Sequence, residues 1–260
     1  MIHSLTNVNP KARIAEGVTI EAFTTVQGDV EIGEGCWIGP NVTIMDGARL
    51  GKNCKVFPGA VVSAVPQDLK YRGEETQAVI GDNVVIRECV TLNKGTAAKG
   101  HTIIGDNCLL MAYVHIAHDC EIGNNVILVN SVGLAGEITI GDFAYIGGMV
   151  GVHQFVNIGA HTMVQGGSLV GKDIPPFITA GRYPVQYTGL NVIGLRRRGF
   201  DKDRIDNIHE IYRILYSKGL NISKAMEEIE KNIVSSADRD EIIRFVNSSQ
   251  RGIIKGYLEE

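Results

Sequence analysis

Aliphatic residues recur at every sixth position along most of the chain. Steps of six from Ile2 meet only Ile, Leu or Val as far as Val62, and an unbroken run of twelve such anchors extends from Ile104 to Val170. A period of six excludes an α-helix, whose turn takes about 3.6 residues, and an antiparallel sandwich would need longer strands. The pattern therefore predicts short strands joined by regular corners.

Coils of this kind stack into a parallel β-helix, in which each coil hydrogen-bonds to the next and buries its anchors along the axis. The hexads resemble those of the left-handed β-helix acyltransferases, whose coils have three faces, and this resemblance supplies the handedness. We expect this mainly β fold over residues 1–186. The period fails at two places, which predicts projecting loops at 67–78 and 93–102, where solenoids commonly build binding surfaces.

The repeat stops at Ile174, and a helical pattern follows an irregular stretch that contains Gly and Pro. Residues 187–260 are predicted to form a C-terminal helical domain that covers the open end of the β-helix. The helix signals are Asp201 or Asp203 as the first cap, Gly219 as the first end, Ser223 as the second cap, and a third helix over 237–246.

Composition narrows the class of protein. The net charge is −4, with 25 basic and 29 acidic residues, which gives no general attraction to nucleic acid. The chain lacks an apolar run long enough for a transmembrane segment and lacks a targeting signal, so we expect a cytoplasmic protein. The five cysteines include no CxxC pair, which argues against disulfides. Four of them, predicted to be buried thiols, fall in the small inward place of the hexad: Cys36, Cys54, Cys108 and Cys120.

The segment 113–120 carries the most informative polar residues. Ile116 is an inward anchor, so His115, His118 and Asp119 are expected to face the outside of the β-helix. Two imidazoles and a carboxylate at such places are not core filling. A zinc site is disfavoured, because its ligands must converge and the cysteines point inward while these histidines point outward.

A column of polar residues is predicted on three successive coils. Three hexads beyond His118 lies Gly136, and three further lies Gln154, with His153 beside it. Adjacent coils lie about 4.8 Å apart, so these residues should be neighbours. A histidine base, a glycine whose N–H a ligand can approach, and an amide donor suit acyl transfer to a hydroxyl group.

Longer motifs are more specific than the hexad. They are Gln67–Tyr71, His115–Cys120, Leu134–Gly136, Ile146–Phe155, Pro175–Pro176 and Gly194–Phe200. Together they resemble the UDP-N-acetylglucosamine 3-O-acyltransferases, which begin lipid A synthesis, and the resemblance runs from the first hexad through the C-terminal helices. It implies transfer of an R-3-hydroxyacyl group from acyl carrier protein to the 3-hydroxyl of UDP-N-acetylglucosamine, without a cofactor. It also implies a homotrimer with active sites between neighbouring β-helices.

The resemblance further implies roles for single residues. His118 matches the general base, Asp119 the carboxylate that orients it, and Gly136 the N–H that stabilises the oxyanion. The implied substrate contacts are Asp68, Lys70, His115, His153, Gln154, Asn191, Arg197 and the adjacent Arg198. The implied acyl-chain ruler comprises Gly166 and Met163.

Three features bear on specificity. Glu137 stands where the family often has a histidine, and Ile193 stands where it has a glutamate. Gly166 leaves the acyl groove open where a methionine would block it, which predicts a long 3-hydroxyacyl chain.

Other functions remain open at the level of sequence. The N-acyltransferase of the same pathway usually carries a domain before its hexads, which here begin at residue 2. Acetyltransferases that use coenzyme A are generally shorter and lack the arginine run at 196–198. A noncatalytic β-helix scaffold predicts no dependence on His118, and a zinc hydratase of this fold predicts bound metal.

Overall fold

A computed structural model describes residues 1–256 of the chain. Short strands fill most of it, because a residue in the left-handed conformation turns the backbone at most corners; many of these residues are Gly or Asn, which tolerate positive φ. In chain order the strands are β1 (Asn7–Val8), β2 (Arg13–Ile14), β3 (Thr19–Ile20), β4 (Thr25–Val26), β5 (Glu31–Ile32), β6 (Trp37–Ile38), β7 (Thr43–Ile44), β8 (Ala48–Leu50), β9 (Lys55–Val56), β10 (Val61–Ala64), β11 (Gln77–Ile80), β12 (Val85–Ile86), β13 (Thr91–Asn93), β14 (His101–Ile104), β15 (Leu109–Leu110), β16 (His115–Ile116), β17 (Glu121–Ile122), β18 (Ile127–Leu128), β19 (Gly133–Leu134), β20 (Thr139–Ile140), β21 (Tyr145–Ile146), β22 (Gly151–Val152), β23 (Asn157–Ile158), β24 (Met163–Val164), β25 (Leu169–Val170), β26 (Ile178–Gly181), β27 (Gln186–Leu190) and β28 (Lys255–Gly256).

Every third strand lies on the same face of a three-sided prism. The first face runs from β1 to β25, the second from β2 to β23, and the third from β3 through β24 to β26, β27 and β28. Pairing within the prism is parallel, as where Ile116 lies beside Leu134 on the next coil. The predicted parallel β-helix is therefore confirmed.

Three corners connect the faces, and each recurs once per coil. The first corner leads from the first face to the second, as at residues 117–120. The second corner leads from the second face to the third, as at 123–126, and the third corner returns to the first face, as at 129–132. Residues at one corner of successive coils therefore form a column.

The anchors and the small hexad residues fill the axis of the prism. Ile38, Ile44 and Ile116 are fully buried, and burial of such aliphatic side chains is the main favourable term in folding. The cysteines at 36, 54, 108 and 120 are buried free thiols, as predicted, whereas Cys89 is exposed.

The second corner carries a ladder of asparagines. Asn53, Asn83, Asn107 and Asn125 all have φ between 55° and 58°, a left-handed conformation that asparagine tolerates. Nδ2 of Asn53 donates to Oδ1 of Asn83 at 3.4 Å, and Nδ2 of Asn83 donates to Oδ1 of Asn107 at 3.2 Å. These two bonds tie three successive coils together.

Both predicted loops are present; the first is shifted by two residues and the second is shorter than predicted. They cover residues 65–76, between β10 and β11, and residues 94–100, between β13 and β14. The predicted edges at 67–78 and 93–102 are wrong, because β11 and β14 are longer than ordinary hexad strands. These two strands pair over four residues, from Gln77 beside His101 to Ile80 beside Ile104.

Within the described part of the chain, four helices follow the prism: α1 (Val192–Arg197), α2 (Lys202–Ser217), α3 (Ile222–Asn232) and α4 (Ala237–Ser248). Asp201 caps α2 as predicted, since its Oδ1 accepts the N–H of Arg204 at 2.8 Å. The cap predicted at Ser223 is wrong. Asn221 caps α3 instead, because its backbone is extended and its Oδ1 accepts the N–H of Lys224 at 2.9 Å, whereas Ser223 lies inside the first turn.

The helices pack against the C-terminal end of the prism. The Tyr212 hydroxyl donates to the carbonyl of Pro176 at 2.6 Å, and the Ser249 hydroxyl donates to Oδ2 of Asp173 at 2.6 Å. The division predicted after residue 186 falls inside β27, which pairs with β26 and β28 on the third face. Residues 257–260 of the predicted helical domain lie outside the described residues.

Within residues 1–256, none of the helices combines the length and the apolar character needed to cross a bilayer.

Candidate active site

The predicted column lies at the first corner. Strand β16 pairs with β19, and β19 pairs with β22, with partners eighteen residues apart, so His118, Gly136 and Gln154 occupy the same place on three coils. A Cβ at Gly136 would lie 2.5 Å from Cε1 of His118. The imidazole therefore lies directly over the α-carbon of Gly136, and only glycine leaves room for it.

Asp119 holds this imidazole from the other side. Oδ2 of Asp119 lies 2.7 Å from Nδ1 of His118. Burial alone would raise the pKa of Asp119, but hydrogen bonds from Thr96 and His118 outweigh it and lower the pKa below its ordinary value. An ionised carboxylate can only accept hydrogen bonds, so Nδ1 carries the proton and Nε2 is left as a proton acceptor.

The loops cover the first corner. His118 and Asp119 both lie on the outside of the prism, yet His118 is only 8% exposed and Asp119 is fully buried. The physical reason is that residues 65–76 and 94–100 fold over this corner from outside the prism. The imidazole remains outside the aliphatic core, because the inward place beside it belongs to Ile116.

Asp68 brings a second carboxylate to the imidazole. Its Oδ2 lies 3.9 Å from Nε2 of His118, and its Oδ1 accepts the N–H of Lys70 at 2.9 Å. Lys70 is exposed on the same loop. The first loop thus places one acidic group beside the proton-accepting nitrogen.

A groove of about 540 Å³ runs along the first face next to the column. Its lining includes His115, Gly133, Gly151, His153 and Leu169. The glycines leave the face bare, and a Cβ at Gly133 would meet nothing within 4 Å. The groove therefore combines an aliphatic floor with two imidazoles.

The imidazole of His115 is oriented by the preceding coil. Its Nδ1 lies 2.7 Å from Oγ1 of Thr91, and burial lowers its pKa. The ring is therefore neutral near neutral pH and able to exchange hydrogen bonds with an uncharged ligand.

Gln154 and Glu137 form a polar pair at the end of the column. Nε2 of Gln154 donates to Oε1 of Glu137 at 3.3 Å. His153 is exposed, and its Nδ1 lies 3.0 Å from the carbonyl oxygen of Gln154.

The residues of the predicted acyl-chain ruler lie elsewhere on the prism. Gly166 is exposed at the third corner, where a Cβ would lie 3.1 Å from the carbonyl oxygen of Gly148. Met163 lies on β24 of the third face. Within one chain the first face separates Gly166 from His118.

The predicted contacts near α1 lie beside the second corner. Oδ1 of Asn191 accepts the N–H of Gly194 at 3.2 Å and so caps α1. Arg198 donates to the carbonyl of Phe143 at 2.8 Å, and burial lowers its pKa. Arg197 is exposed. Within one chain these three residues do not join the column.

The sequence prediction omitted Thr96 and Lys99. The amide of Thr96 donates to Oδ1 of Asp119 at 3.0 Å and its hydroxyl donates to Oδ2 at 2.6 Å, while the amide of Lys99 donates to Oδ1 at 3.2 Å. The broken hexad indicated a loop here, but no periodic rule specifies which loop residue reaches the next coil.

Models of known protein families match both the β-helix and the C-terminal region of the chain. The second domain of UDP-N-acetylglucosamine O-acyltransferases matches residues 173–254, and the bacterial transferase hexapeptide repeat matches 29–64 and 101–136. An acyl-[acyl-carrier-protein]–UDP-N-acetylglucosamine O-acyltransferase of Paraburkholderia phymatum is 44% identical over 201 residues, which cover 75% of this chain and 77% of that protein. The chain belongs to the UDP-N-acetylglucosamine O-acyltransferase family. A second curated member, from Burkholderia mallei, is 42% identical over the same share of each chain.

Solved structures of this family superpose closely. The UDP-N-acetylglucosamine acyltransferase of Bacteroides fragilis is 50% identical with a TM-score of 0.96, over 98% of this chain and all of that one. The enzyme of Francisella novicida is 41% identical with a TM-score of 0.95, over 98% of this chain and 94% of that one. The predicted fold class, a left-handed parallel β-helix followed by helices, is confirmed for this family member.

Proposed function

We propose that this protein transfers an R-3-hydroxyacyl group from acyl carrier protein to the 3-hydroxyl of UDP-N-acetylglucosamine, the first step of lipid A biosynthesis. The observation that carries the proposal is the pair His118 and Asp119 above Gly136. It offers one proton-accepting nitrogen at a corner lined by polar groups and bordered by an apolar groove. Relatives named for this activity, at 44% and 42% identity, support the same reaction.

The reaction proceeds in one displacement. Nε2 of His118 accepts the proton of the sugar 3-hydroxyl while that oxygen attacks the thioester carbon. The N–H of Gly136 stabilises the negative charge that develops on the carbonyl oxygen. This N–H donates to no acceptor within residues 1–256. The tetrahedral intermediate then expels the thiolate of the carrier, which takes the proton from His118, so neither an acyl-enzyme nor a cofactor is needed.

Asp119 makes the first proton transfer efficient. Its buried carboxylate fixes one proton on Nδ1 of His118. It also stabilises the imidazolium that forms when Nε2 accepts the proton of the sugar 3-hydroxyl. The imidazole therefore has its proton-accepting nitrogen, Nε2, free before the substrate binds.

Substrate positioning requires more than one region. The proposed contacts are Asp68, Lys70, His115, His153, Gln154, Asn191, Arg197 and Arg198. The first five surround the first corner or its groove, while Asn191 and the arginines lie beside the second corner. Gly166 and Met163 form the proposed ruler for a long acyl chain, at the third corner and third face.

A homotrimer would unite these regions, because a neighbouring chain can present its own corner to the first corner. We place this assembly in the cytoplasm, where acyl carrier protein and the sugar nucleotide are both dissolved.

The decisive experiment is an assay with UDP-N-acetylglucosamine and 3-hydroxyacyl carrier proteins of several chain lengths. His118→Ala should lower kcat by about 10²- to 10⁴-fold, the usual contribution of a positioned base. His209→Ala is the matched control, since His209 is exposed on α2 and should leave turnover unchanged. Gly166→Met should shift the preference toward shorter chains.

Two results would contradict the proposal in different ways. Normal turnover by His118→Ala would remove the mechanism. Inactivity of the unchanged protein toward every carrier would remove the function and favour a noncatalytic β-helix.

A further inference from the structure

The carboxylate of Asp119 has a complete set of hydrogen-bond donors. Oδ1 accepts the amides of Thr96 and Lys99, while Oδ2 accepts the hydroxyl of Thr96 and Nδ1 of His118. A carboxylate has about four lone-pair sites, so all of them are occupied. Because Asp119 is fully buried, water cannot replace a donor that is lost.

The hydroxyl proton of Thr96 can be donated to only one acceptor, Oδ2 of Asp119. The hydroxyl oxygen accepts the N–H of Ala98 at 3.2 Å, and its proton points to Oδ2 of Asp119 at 2.6 Å. The ionised carboxylate cannot donate in return. The hydroxyl and the imidazole therefore meet on the same oxygen atom, Oδ2.

We propose that Thr96 is a positioning residue of the active site: its hydroxyl fixes Oδ2 of Asp119 and thereby keeps the proton of His118 on Nδ1. The kinetic part of this inference rests on the proposed function. Without the hydroxyl, the amides of Thr96 and Lys99 would still hold Oδ1, but Oδ2 would be held by the imidazole alone and could turn away from Nδ1. The Nδ1–H tautomer would then lose its advantage.

The second loop is itself held in place. The carbonyl of Gly95 accepts the hydroxyl of Thr76 at 2.6 Å, and the N–H of Gly95 donates to the carbonyl of Gln77 at 3.1 Å. Nζ of Lys99 donates to Oε1 of Glu121 at 2.9 Å. These contacts do not involve the Thr96 hydroxyl, so its removal should leave the loop in position.

Other charged groups do not replace this contact. Oδ2 of Asp68 approaches His118 from the side of Nε2, at 3.9 Å, and the ammonium of Lys99 is paired with Glu121. Thr96 is 7% exposed and does not line the groove, so a direct effect on substrate binding is not expected.

The test compares Thr96→Val, which removes the hydroxyl at nearly constant shape, with Thr96→Ser, which keeps it. Imidazole ¹⁵N spectra of the substrate-free protein, in mildly alkaline buffer, report which nitrogen of His118 carries the proton. We expect the Nδ1–H form in the unchanged protein and in Thr96→Ser, and a mixture of tautomers in Thr96→Val. In the acyltransfer assay, Thr96→Val should lower kcat about ten- to a hundred-fold, with KM for the sugar nucleotide within about two-fold.

Thr162→Val is the matched control, because Thr162, like Thr96, is a buried threonine, and its hydroxyl donates to a backbone carbonyl, that of Pro175, at 3.0 Å. It should leave both the tautomer and kcat unchanged. An unaltered His118 spectrum in Thr96→Val, or equal losses in Thr96→Ser or Thr162→Val, would overturn the inference. A shifted tautomer together with an unchanged protein that transfers no acyl group would support the positioning role and reject the proposed function.

Discussion

The first and second corners of the prism are built from the same repeat, but on the coils around His118 the first corner uses its polar residues differently from the second. At the second corner, carboxylates and amides bond to the neighbouring coil. Oδ1 of Asp82 accepts the N–H of Lys52 at 2.6 Å, and Oδ1 of Asp106 accepts the N–H of Asp82 at 2.7 Å. At the first corner, by contrast, the N–H of Gly136 has no acceptor in the described residues and Nε2 of His118 faces only a carboxylate 3.9 Å away.

This difference separates structure from chemistry within one repeat. A corner whose donors and acceptors are mutually satisfied stabilises the stack and has nothing left to offer a ligand. At the first corner, a base and an amide remain unpaired. The two loops fold over this corner and hold the base in position. In a solenoid, a column that departs from the satisfied pattern is therefore where binding and catalysis should be sought.

Among the changes that test this comparison of corners, the largest effect is expected from adding one methyl group to the first corner. In Gly136→Ala, the new Cβ would lie 2.5 Å from Cε1 of His118 and would displace the imidazole. A displacement near 1 Å lowers turnover about a hundred-fold. Gly28→Ala is the matched control, since Gly28 occupies the same place at the same corner and its Cβ would meet only the Asn9 side chain at 3.3 Å.

Turnover by both variants in the acyltransfer assay, with thermal unfolding as a check on folding, separates the two glycines. Similar activity of Gly136→Ala and Gly28→Ala would mean that the ring tolerates the methyl group and that the first corner is less exacting than its geometry indicates.

Sequence periodicity was sufficient to predict the column of His118, Gly136 and Gln154. It was insufficient to predict how the two loops cover this column. A strict hexad places His118 over Gly136 because backbone pairing between coils is regular, and the same rule identified the inward cysteines. The burial of Asp119 depends on Thr96, a contact 23 positions away in sequence that lies in a broken hexad. Such a contact follows from how a particular loop folds, and no local pattern encodes it.

Helix caps show the same limit on a smaller scale. Both Asn221 and Ser223 are capping residue types, and their sequence spacing does not distinguish them. The choice depends on which backbone remains extended after α2 has packed on the prism, and that residue is Asn221.

Beyond the asparagines, the second corner carries a stack of aromatic rings. The contribution of this stack to stability should depend on pH. The ring of His161 stacks between Phe143 and Phe177 at centroid distances of 4.9 and 5.6 Å. Burial lowers the pKa of His161 to about 4, and the charges of Arg198 and Arg204 act in the same direction. An unfolded histidine has a pKa of about 6.5.

As pH falls through the window from about 6.5 to about 4, the unfolded chain binds a proton at His161 and the folded chain does not. Stability should therefore fall across this window, by about 2 kcal/mol, and this contribution should level off below it. His161→Phe should abolish that part of the slope in urea unfolding, because a phenyl ring keeps the stack and cannot titrate. His209→Phe, at an exposed site on α2, should retain it. An equal slope in both variants would contradict the assignment.

The smallest effect is expected within the asparagine ladder. Asn107 has φ of 58° and its Oδ1 accepts a hydrogen bond from Asn83. Asn107→Ala places an ordinary side chain in the left-handed region and removes the bond, which should lower the free energy of urea unfolding by about 1 kcal/mol. Asn107→Gly removes the same bond without the backbone strain, so it should lose less. Because Asn107 bonds to the neighbouring coil and is not one of the proposed substrate contacts, kcat of the folded protein should match the unchanged chain in both variants. A loss of kcat without a loss of stability would show that the second corner also serves the reaction.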